Sequence, residues 1–168
     1  MSKNLSKIKI DETDYGLLAL LQKDGRAPNT KLAKKLNLSE TPCWRRLKHL
    51  EDIGIIKGYQ ANLDRRLLGF GVLAFVQISF AIHTDDSPEK FEEAIQGIPE
   101  VLSCHNVTGE SDYLLQIVSA DLETYEKLLR NVIRKLPGVT SIKSSFSLRE
   151  VKASTQLPLV GAQPSAGT

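Results

Sequence analysis

From Val72 onward the apolar residues fall at every second position. Val72, Ala74, Val76, Ile78, Phe80 and Ile82 share one side of an extended chain, and Leu73, Phe75, Gln77, Ser79, Ala81 and His83 share the other. That period commits the stretch to a long strand, around which the rest of the chain must be arranged. Thr84, Asp85, Asp86, Ser87 and Pro88 signal a turn, and a helix carrying Phe91, Ala94, Ile95 and Ile98 runs up to Pro99. Two strands are expected around Val101 to Thr108 and Tyr113 to Val118, broken by Gly109, Glu110 and Ser111. A second helix presents Leu122, Tyr125, Leu128, Leu129, Val132, Ile133 and Leu136. After Pro137 and Gly138 a last strand extends from Val139 to about Val151. The order β-α-β-β-α-β is the ferredoxin-like split arrangement, an α+β fold with a four-stranded antiparallel sheet and both helices on one face. The other face, with Phe75, Cys104, Leu114 or their neighbours, needs a cover, so a sheet-on-sheet dimer is expected.

The first third has a different rhythm. Asp11 can cap a helix over roughly 11–24, with Asp14 three positions on as an acid variant of the capping box; Tyr15, Leu18 and Leu21 follow, and Gly25 ends it. Asn29 is placed to cap a short helix carrying Leu32, Ala33 and Leu36, which stops near Asn37. Ser39 is placed to cap a third, running to Gly54, in which Pro42 is tolerated within the first turn. Ile55 to Ala61 is β-prone and suggests a small hairpin or an extended wing.

A short helix followed closely by another suggests a helix-turn-helix. On the third helix Cys43, Leu47, Leu50 and Ile53 gather on one side, and Thr41, Arg45, Lys48, His49 and Asp52 lie opposite. A basic outward face suits a recognition helix, although an ordinary solvated face has the same pattern. Arg46 projects to the rim of the core, where its guanidinium can reach a carboxylate or a phosphate, and a structural role is expected. Trp44 sits on the border, able to pack inward or to meet a sugar-phosphate edge.

Charge divides the chain in the same place. Residues 1–62 hold nine Lys and three Arg against four Asp and three Glu, a net of +5, while residues 63–168 net −3. That asymmetry fits one module meeting a polyanion and another that does not. The expected organisation is a winged helix-turn-helix at 1–62, a linker at 63–71, a ligand-binding and oligomerisation domain at 72–152 and a tail at 153–168 whose last few residues are mobile.

Several classes are set aside by the same reading. The apolar run Val72 to Val76 is stopped by Gln77, far short of the roughly 18 residues of a membrane span. The basic start acquires acids where a signal peptide needs its apolar region, so export is not expected. Two cysteines 61 positions apart give no disulfide framework, and a reducing cytoplasm is the expected location. Three His and two Cys scattered along the chain have no zinc spacing, and neither a phosphate loop nor a nucleophile elbow is present. Cys104 and His105 would point to opposite faces of a strand, which separates a nucleophile from its base. No catalytic residue, metal or cofactor is expected; a free-standing amino-acid-binding or interaction module without specific DNA binding is the alternative to a DNA-binding protein.

Four stretches, IDETDYGLLALLQKDGR, LAKKLNLSETPCWRRLKHLEDIGIIKGYQANLD, VLSCHNVTGESDYLLQIVSADLETYEKLL and LPGVTSIKSSFSLREVK, occur in an order and spacing that resemble the leucine-responsive/asparagine-regulator (Lrp/AsnC) family of transcription factors. The likeness spans about residues 10–159. It implies a winged helix-turn-helix joined to an amino-acid-binding βαββαβ domain, with dimers that assemble into octamers. It makes Ser39, Thr41, Trp44, Arg45 and Lys48 candidates for contact with double-stranded DNA. It places the effector between subunits, against the loop Val107, Thr108, Gly109, Glu110, Ser111 and Asp112, the last-strand positions Ser145, Phe146 and Ser147, and Leu122. Gly109 would let backbone amides approach an α-carboxylate and Asp112 would pair with an α-ammonium, though both are also ordinary turn residues. Ser144, Ser145 and Ser147 around Phe146 depart from the larger side chains of leucine-responsive members. A small or polar amino acid is therefore the expected effector.

Overall fold

The computed structural model describes residues 9–80 and 87–159. They divide into two compact units. The described residues up to Asn62, together with those from Ala153 onward, form one, and the described part of Leu63–Lys152 forms the other.

The first unit is built on α1 (Glu12–Lys23), α2 (Asn29–Lys35) and α3 (Glu40–Asp52). Asp11 caps α1 as expected, and the box is complete: Asp14 N donates to Asp11 Oδ1 at 2.9 Å while Asp11 N donates to Asp14 Oδ2 at 3.0 Å. Two of the donors orphaned at the helix start are thereby satisfied. Leu17, Leu32, Ala33, Cys43 and Leu50 form the core, with Leu18, Leu21, Leu36, Leu47 and Ile53 packed around it. Leu17, outside the expected run Tyr15, Leu18, Leu21, is the α1 residue that is fully buried.

Three local expectations are corrected here. Asn29 is the first residue of α2 rather than its cap; Pro28 precedes it, and the Asn29 side chain instead donates through Nδ2 to the Glu40 carbonyl at 2.9 Å, tying α2 to the start of α3. Ser39 occupies the cap position of α3, but its side chain makes no capping bond. The helix ends at Asp52, and Gly54, with φ +78°, makes the left-handed turn just beyond. Residues 55–61 form no strand; of the two forms expected for this stretch, a small hairpin or an extended wing, the hairpin is absent. They are anchored to α3 by the Ile56 backbone amide, which donates to the Leu50 carbonyl at 3.1 Å, and by the Tyr59 hydroxyl, which donates to Glu51 Oε1 at 3.0 Å.

The second unit contains β1 (Val72–Phe80), α4 (Ser87–Gln96), β2 (Val101–Asn106), β3 (Tyr113–Ser119), α5 (Leu122–Asn131) and β4 (Val139–Phe146). The sheet order is β2-β3-β1-β4, antiparallel at every pairing. Ala74, Val76 and Ile78 face the helices with Tyr113, Leu115 and Ile117 of β3, and Phe91, Ile95, Tyr125 and Ile133 close over them. Both helices thus share one face. Asp121 caps α5 by accepting from Thr124 N at 2.7 Å, and the expected long second helix breaks after Asn131 into a short 3₁₀ turn, Ile133–Lys135.

The strands are shorter than alternation alone suggests. β2 stops at Asn106, and β4 stops at Phe146 rather than Val151. Ala81, Ile82, His83 and the Thr84 to Asp86 part of the turn lie outside the described residues. The linker 63–71 is an ordered turn: Asp64 Oδ1 accepts from Arg66 N and Leu67 N, and Arg65 Nη1 donates to the Phe70 carbonyl at 2.8 Å.

Cys104 is on the opposite face from the one expected. β2 shifts register between Val101, which faces Ile117, and Ser103, which faces Gln116, so one extra residue enters the strand. Because side chains alternate, that residue flips everything after it. Cys104 is opposite Leu115 and packs into the helix-side core; Phe75 and Leu114 remain on the open face, where Phe75 is 41% exposed.

Candidate DNA interface and effector site

On α3 the inward residues Cys43 and Leu50 are buried, which turns Thr41, Trp44, Arg45 and Lys48 outward as one exposed stripe. Ser39, just before the helix, is exposed as well. Trp44 resolves as an outward residue, 56% exposed, rather than a packing one. Lys48 is already engaged: its Nζ lies 3.2 Å from Asp52 Oδ1 and 3.7 Å from Glu51 Oε2, and the Asp52 contact pushes its pKa up. Arg45 and His49, with Pro42, Asp14 and Arg46, line an open depression of about 410 Å³.

Arg46 is structural, as its position on the helix suggested. Its Nη1 donates to Asp14 Oδ1 at 2.8 Å and to Asp11 Oδ2 at 2.7 Å. Those two bonds, Asp14 first, push the guanidinium pKa up. The capping box of α1 is therefore also the clamp that fixes the roll of α3 and so aims the stripe. In the sequence the box and the arginine read as separate features. Two acids three residues apart, facing an arginine on the next packed helix, are the signal that could have joined them.

The expected effector residues fall into two groups. The first is the β2–β3 loop. Val107 N donates to the Asp112 carbonyl at 2.9 Å, closing the hairpin, and Gly109 has φ +127°, a conformation that excludes ordinary side chains. Asp112 is fastened to the end of β1: its amide donates to the Ile78 carbonyl at 2.9 Å, and its Oδ2 accepts from Phe80 N at 2.8 Å. Thr108, Glu110 and Asp112 are exposed and Ser111 is half-buried; Glu110 Oε2 approaches Lys143 Nζ at 3.8 Å.

The second group lies at the other end of the sheet. Ser145 pairs with Phe75 and Phe146 with Ala74, near the start of β1, whereas Asp112 is held at its end. At about 3.3 Å per residue the two groups are separated by roughly 15–20 Å. One chain does not bring them together. Within this group the faces also divide. Phe146 lies on the helix side, its ring in an edge contact with Tyr125 at 5.1 Å, and Ser144 Oγ on that side accepts from the Tyr125 hydroxyl at 2.6 Å. Ser145 is on the open face with Phe75, and Ser147 follows it, its amide donating to the Leu73 carbonyl at 2.9 Å. Leu122, one turn before Tyr125 on α5, is 60% exposed.

Other chemistry is sparse. Tyr113 donates its hydroxyl to Glu92 Oε1 at 2.7 Å, and burial together with that carboxylate pushes its pKa up to about 12. Burial raises the Cys104 thiol above its ordinary value, so it is held in the unreactive protonated form. His105 is on the opposite face of β2 from Cys104. Among the described residues no three His, Cys, Asp or Glu side chains gather to hold a metal ion.

The chain matches two families over these same stretches: a winged helix-turn-helix DNA-binding family at residues 10–57, and the Lrp/AsnC ligand binding domain at residues 73–157. It is 39% identical over 150 residues to the DNA-binding transcriptional activator DecR of Escherichia coli, covering 89% of this chain and 99% of that one. It is 40% identical over 148 residues to the leucine-responsive regulatory protein of Escherichia coli, covering 88% and 90%. Among solved structures it resembles a transcriptional regulator from Neisseria meningitidis in complex with L-Met, with a TM-score of 0.85, 40% identity and coverage of 90% and 97%. With both units matched and full-length relatives at this level of identity, the chain belongs to the Lrp/AsnC family.

Proposed function

We infer that the protein is a sequence-specific DNA-binding transcriptional regulator whose DNA affinity or assembly responds to a small amino acid. The observation that carries this reading is the outward stripe Thr41, Trp44, Arg45 and Lys48 on a helix clamped by Arg46 to Asp11 and Asp14. A rigid helix presenting a cation, a hydroxyl and an aromatic ring to solvent can lie in a major groove with its back on the protein. The stripe sits in the unit with the basic excess, and the DNA-binding relatives support the same use.

The effector site is assembled from two copies. The loop 107–112 of one protomer and the β4 end of another, with Ser145 and Ser147 on the open face and Phe146 and Leu122 reaching it only from the helix side of that edge strand, supply it, because one chain holds these groups at opposite ends of its sheet. Gly109 and the neighbouring amides serve the α-carboxylate and Asp112 the α-ammonium. A homodimer covers the open face around Phe75 and Leu114, and dimers assemble to an octamer. The relatives are transcriptional regulators, so the reading is of a non-enzyme working where DNA is, in the cytoplasm; none of the described helices is long and apolar enough to cross a membrane. Calorimetric titration with the twenty amino acids tests the effector class. Tight binding of a small or polar amino acid supports it, and tight binding of leucine alone overturns it.

A further inference from the structure

After β4 the chain returns to the DNA-binding unit, to which residues from Ala153 onward belong. The return is fastened at one residue of α1. Gln22 Oε1 accepts from Leu157 N at 2.6 Å and Gln22 Nε2 donates to the Leu157 carbonyl at 3.1 Å, so one amide side chain holds both backbone groups of Leu157. In return Gln156 Nε2 donates to the Gln22 carbonyl at 2.9 Å. That carbonyl lies in the last turn of α1, where helix acceptors have no partner of their own. Gln156 thus completes the end of α1 from a distant part of the chain, and beyond it Leu159 is half-buried.

The other end of this segment is equally defined. Ser147 N donates to the Leu73 carbonyl, and Ser145 and Ser147 are residues of the proposed effector site. Gln156 lies ten positions after Phe146, a span of at most about 35 Å when fully extended. Two covalent crossings therefore join the units, one between Asn62 and Leu63 and one between Lys152 and Ala153. The second is pinned to the body of α1.

We propose that the segment Ser147–Leu157 is a tether through which the β4 end of the regulatory sheet acts on the DNA-binding unit, with the Gln22–Leu157 bonds as its anchor. The regulatory half of this statement rests on the effector reading above. An amino acid that shifts Ser145–Ser147 shifts one end of a short strap whose other end holds the helix clamped to α3 by Arg46. Such a link supplies the differential contact that coupling between two sites requires.

Trp44 is the single tryptophan of the chain and sits on the DNA-binding unit, so its time-resolved anisotropy reads that unit's motion in the full-length protein. The double variant Gln22→Ala/Gln156→Ala, and a chain ended after Lys152, gain a nanosecond decay component that the wild type lacks, with unchanged circular dichroism. Identical decays in all three proteins overturn the tether. Coupling is then read as the shift in DNA-binding midpoint on adding L-methionine, or each other amino acid in turn. A wild-type shift of about fivefold or more falls to within about twofold in the double variant, whose midpoint without amino acid stays within about twofold of wild type. A full shift in the variant overturns the coupling. A wild type that responds to no amino acid overturns the effector reading, and leaves the tether to stand or fall on the anisotropy alone.

Discussion

Arg46 Nη1 lies 2.8 Å from Asp14 Oδ1, and Asp14 is a carboxylate whose residue is only 5% exposed. The same nitrogen reaches Asp11, so the clamp between α1 and α3 rests on one guanidinium. Arg46→Ala leaves the Asp14 charge buried without its cation. It is expected to cost about 2 kcal/mol, read as a lower urea midpoint with an unchanged slope. Because the clamp aims α3, DNA affinity falls too, although Arg46 itself is turned away from the stripe.

The clamp also sets an acid limit. Asp11 titrates below its ordinary value of 3.8, chiefly because its side chain accepts the Asp14 amide and secondarily because of Arg46. A carboxyl whose pKa is lower folded than unfolded stabilises the fold above the unfolded value. That contribution is lost as pH falls through 3.8 towards the folded value. Urea midpoints measured from pH 6 down to pH 3 should therefore drop less steeply for Asp11→Asn, which starts from a lower stability at neutral pH.

The exposed cations of α3 are not equivalent. Arg45 forms no ion pair among the described residues, while Lys48 is held by Asp52 and Glu51. Arg45→Ala should weaken DNA binding by about tenfold and lower the salt slope by about one, without changing particle size. Lys48→Ala should cost less. Equal losses for the two would show that Asp52 and Glu51 release Lys48 on the DNA.

Asp112 has two duties that separate by substitution. Asp112→Ala removes the acceptor for Phe80 N and should cost about 1 kcal/mol along with the effector response. Asp112→Asn keeps an oxygen for that amide and removes the charge. If Asp112 pairs with an α-ammonium, Asn loses the response with little change in stability. A normal response in the Asn variant would rule the pairing out.

What the sequence made legible was mostly local or periodic. The Asp11–Asp14 box is a four-residue pattern, and the β-α-β-β-α-β order follows from where the apolar period changes, so both could be read without the tertiary structure. The errors came from features that a period does not encode. One inserted residue near Leu102 moved Cys104 to the other face. Asn29 has the chemistry of a cap, yet the carbonyl of Glu40 claims its amide. Ser145 and Phe146 read as one site in the sequence although adjacent strand residues face opposite ways, and the distance between them and the 107–112 loop depends on pairing with β1. The Gln22 anchor joins residues 135 positions apart and had no trace in the sequence.

The open face of the sheet makes a simple claim about assembly. Phe75→Asp places a charge where a second copy is expected to sit, opposite Gln116 and Ser145. Sedimentation velocity should show a smaller particle than wild type with unchanged circular dichroism. An unchanged particle would move the dimer interface elsewhere.

The central claim is that an amino acid controls DNA binding by this chain. Fluorescence anisotropy of the protein on its own gene's upstream region and on an unrelated duplex, across a salt series and with each amino acid, tests it most directly. The account predicts tighter binding to the upstream DNA, a salt-dependent midpoint, and a shift produced by one or two small or polar amino acids. Absence of binding to either duplex at every salt concentration and with every amino acid would contradict it.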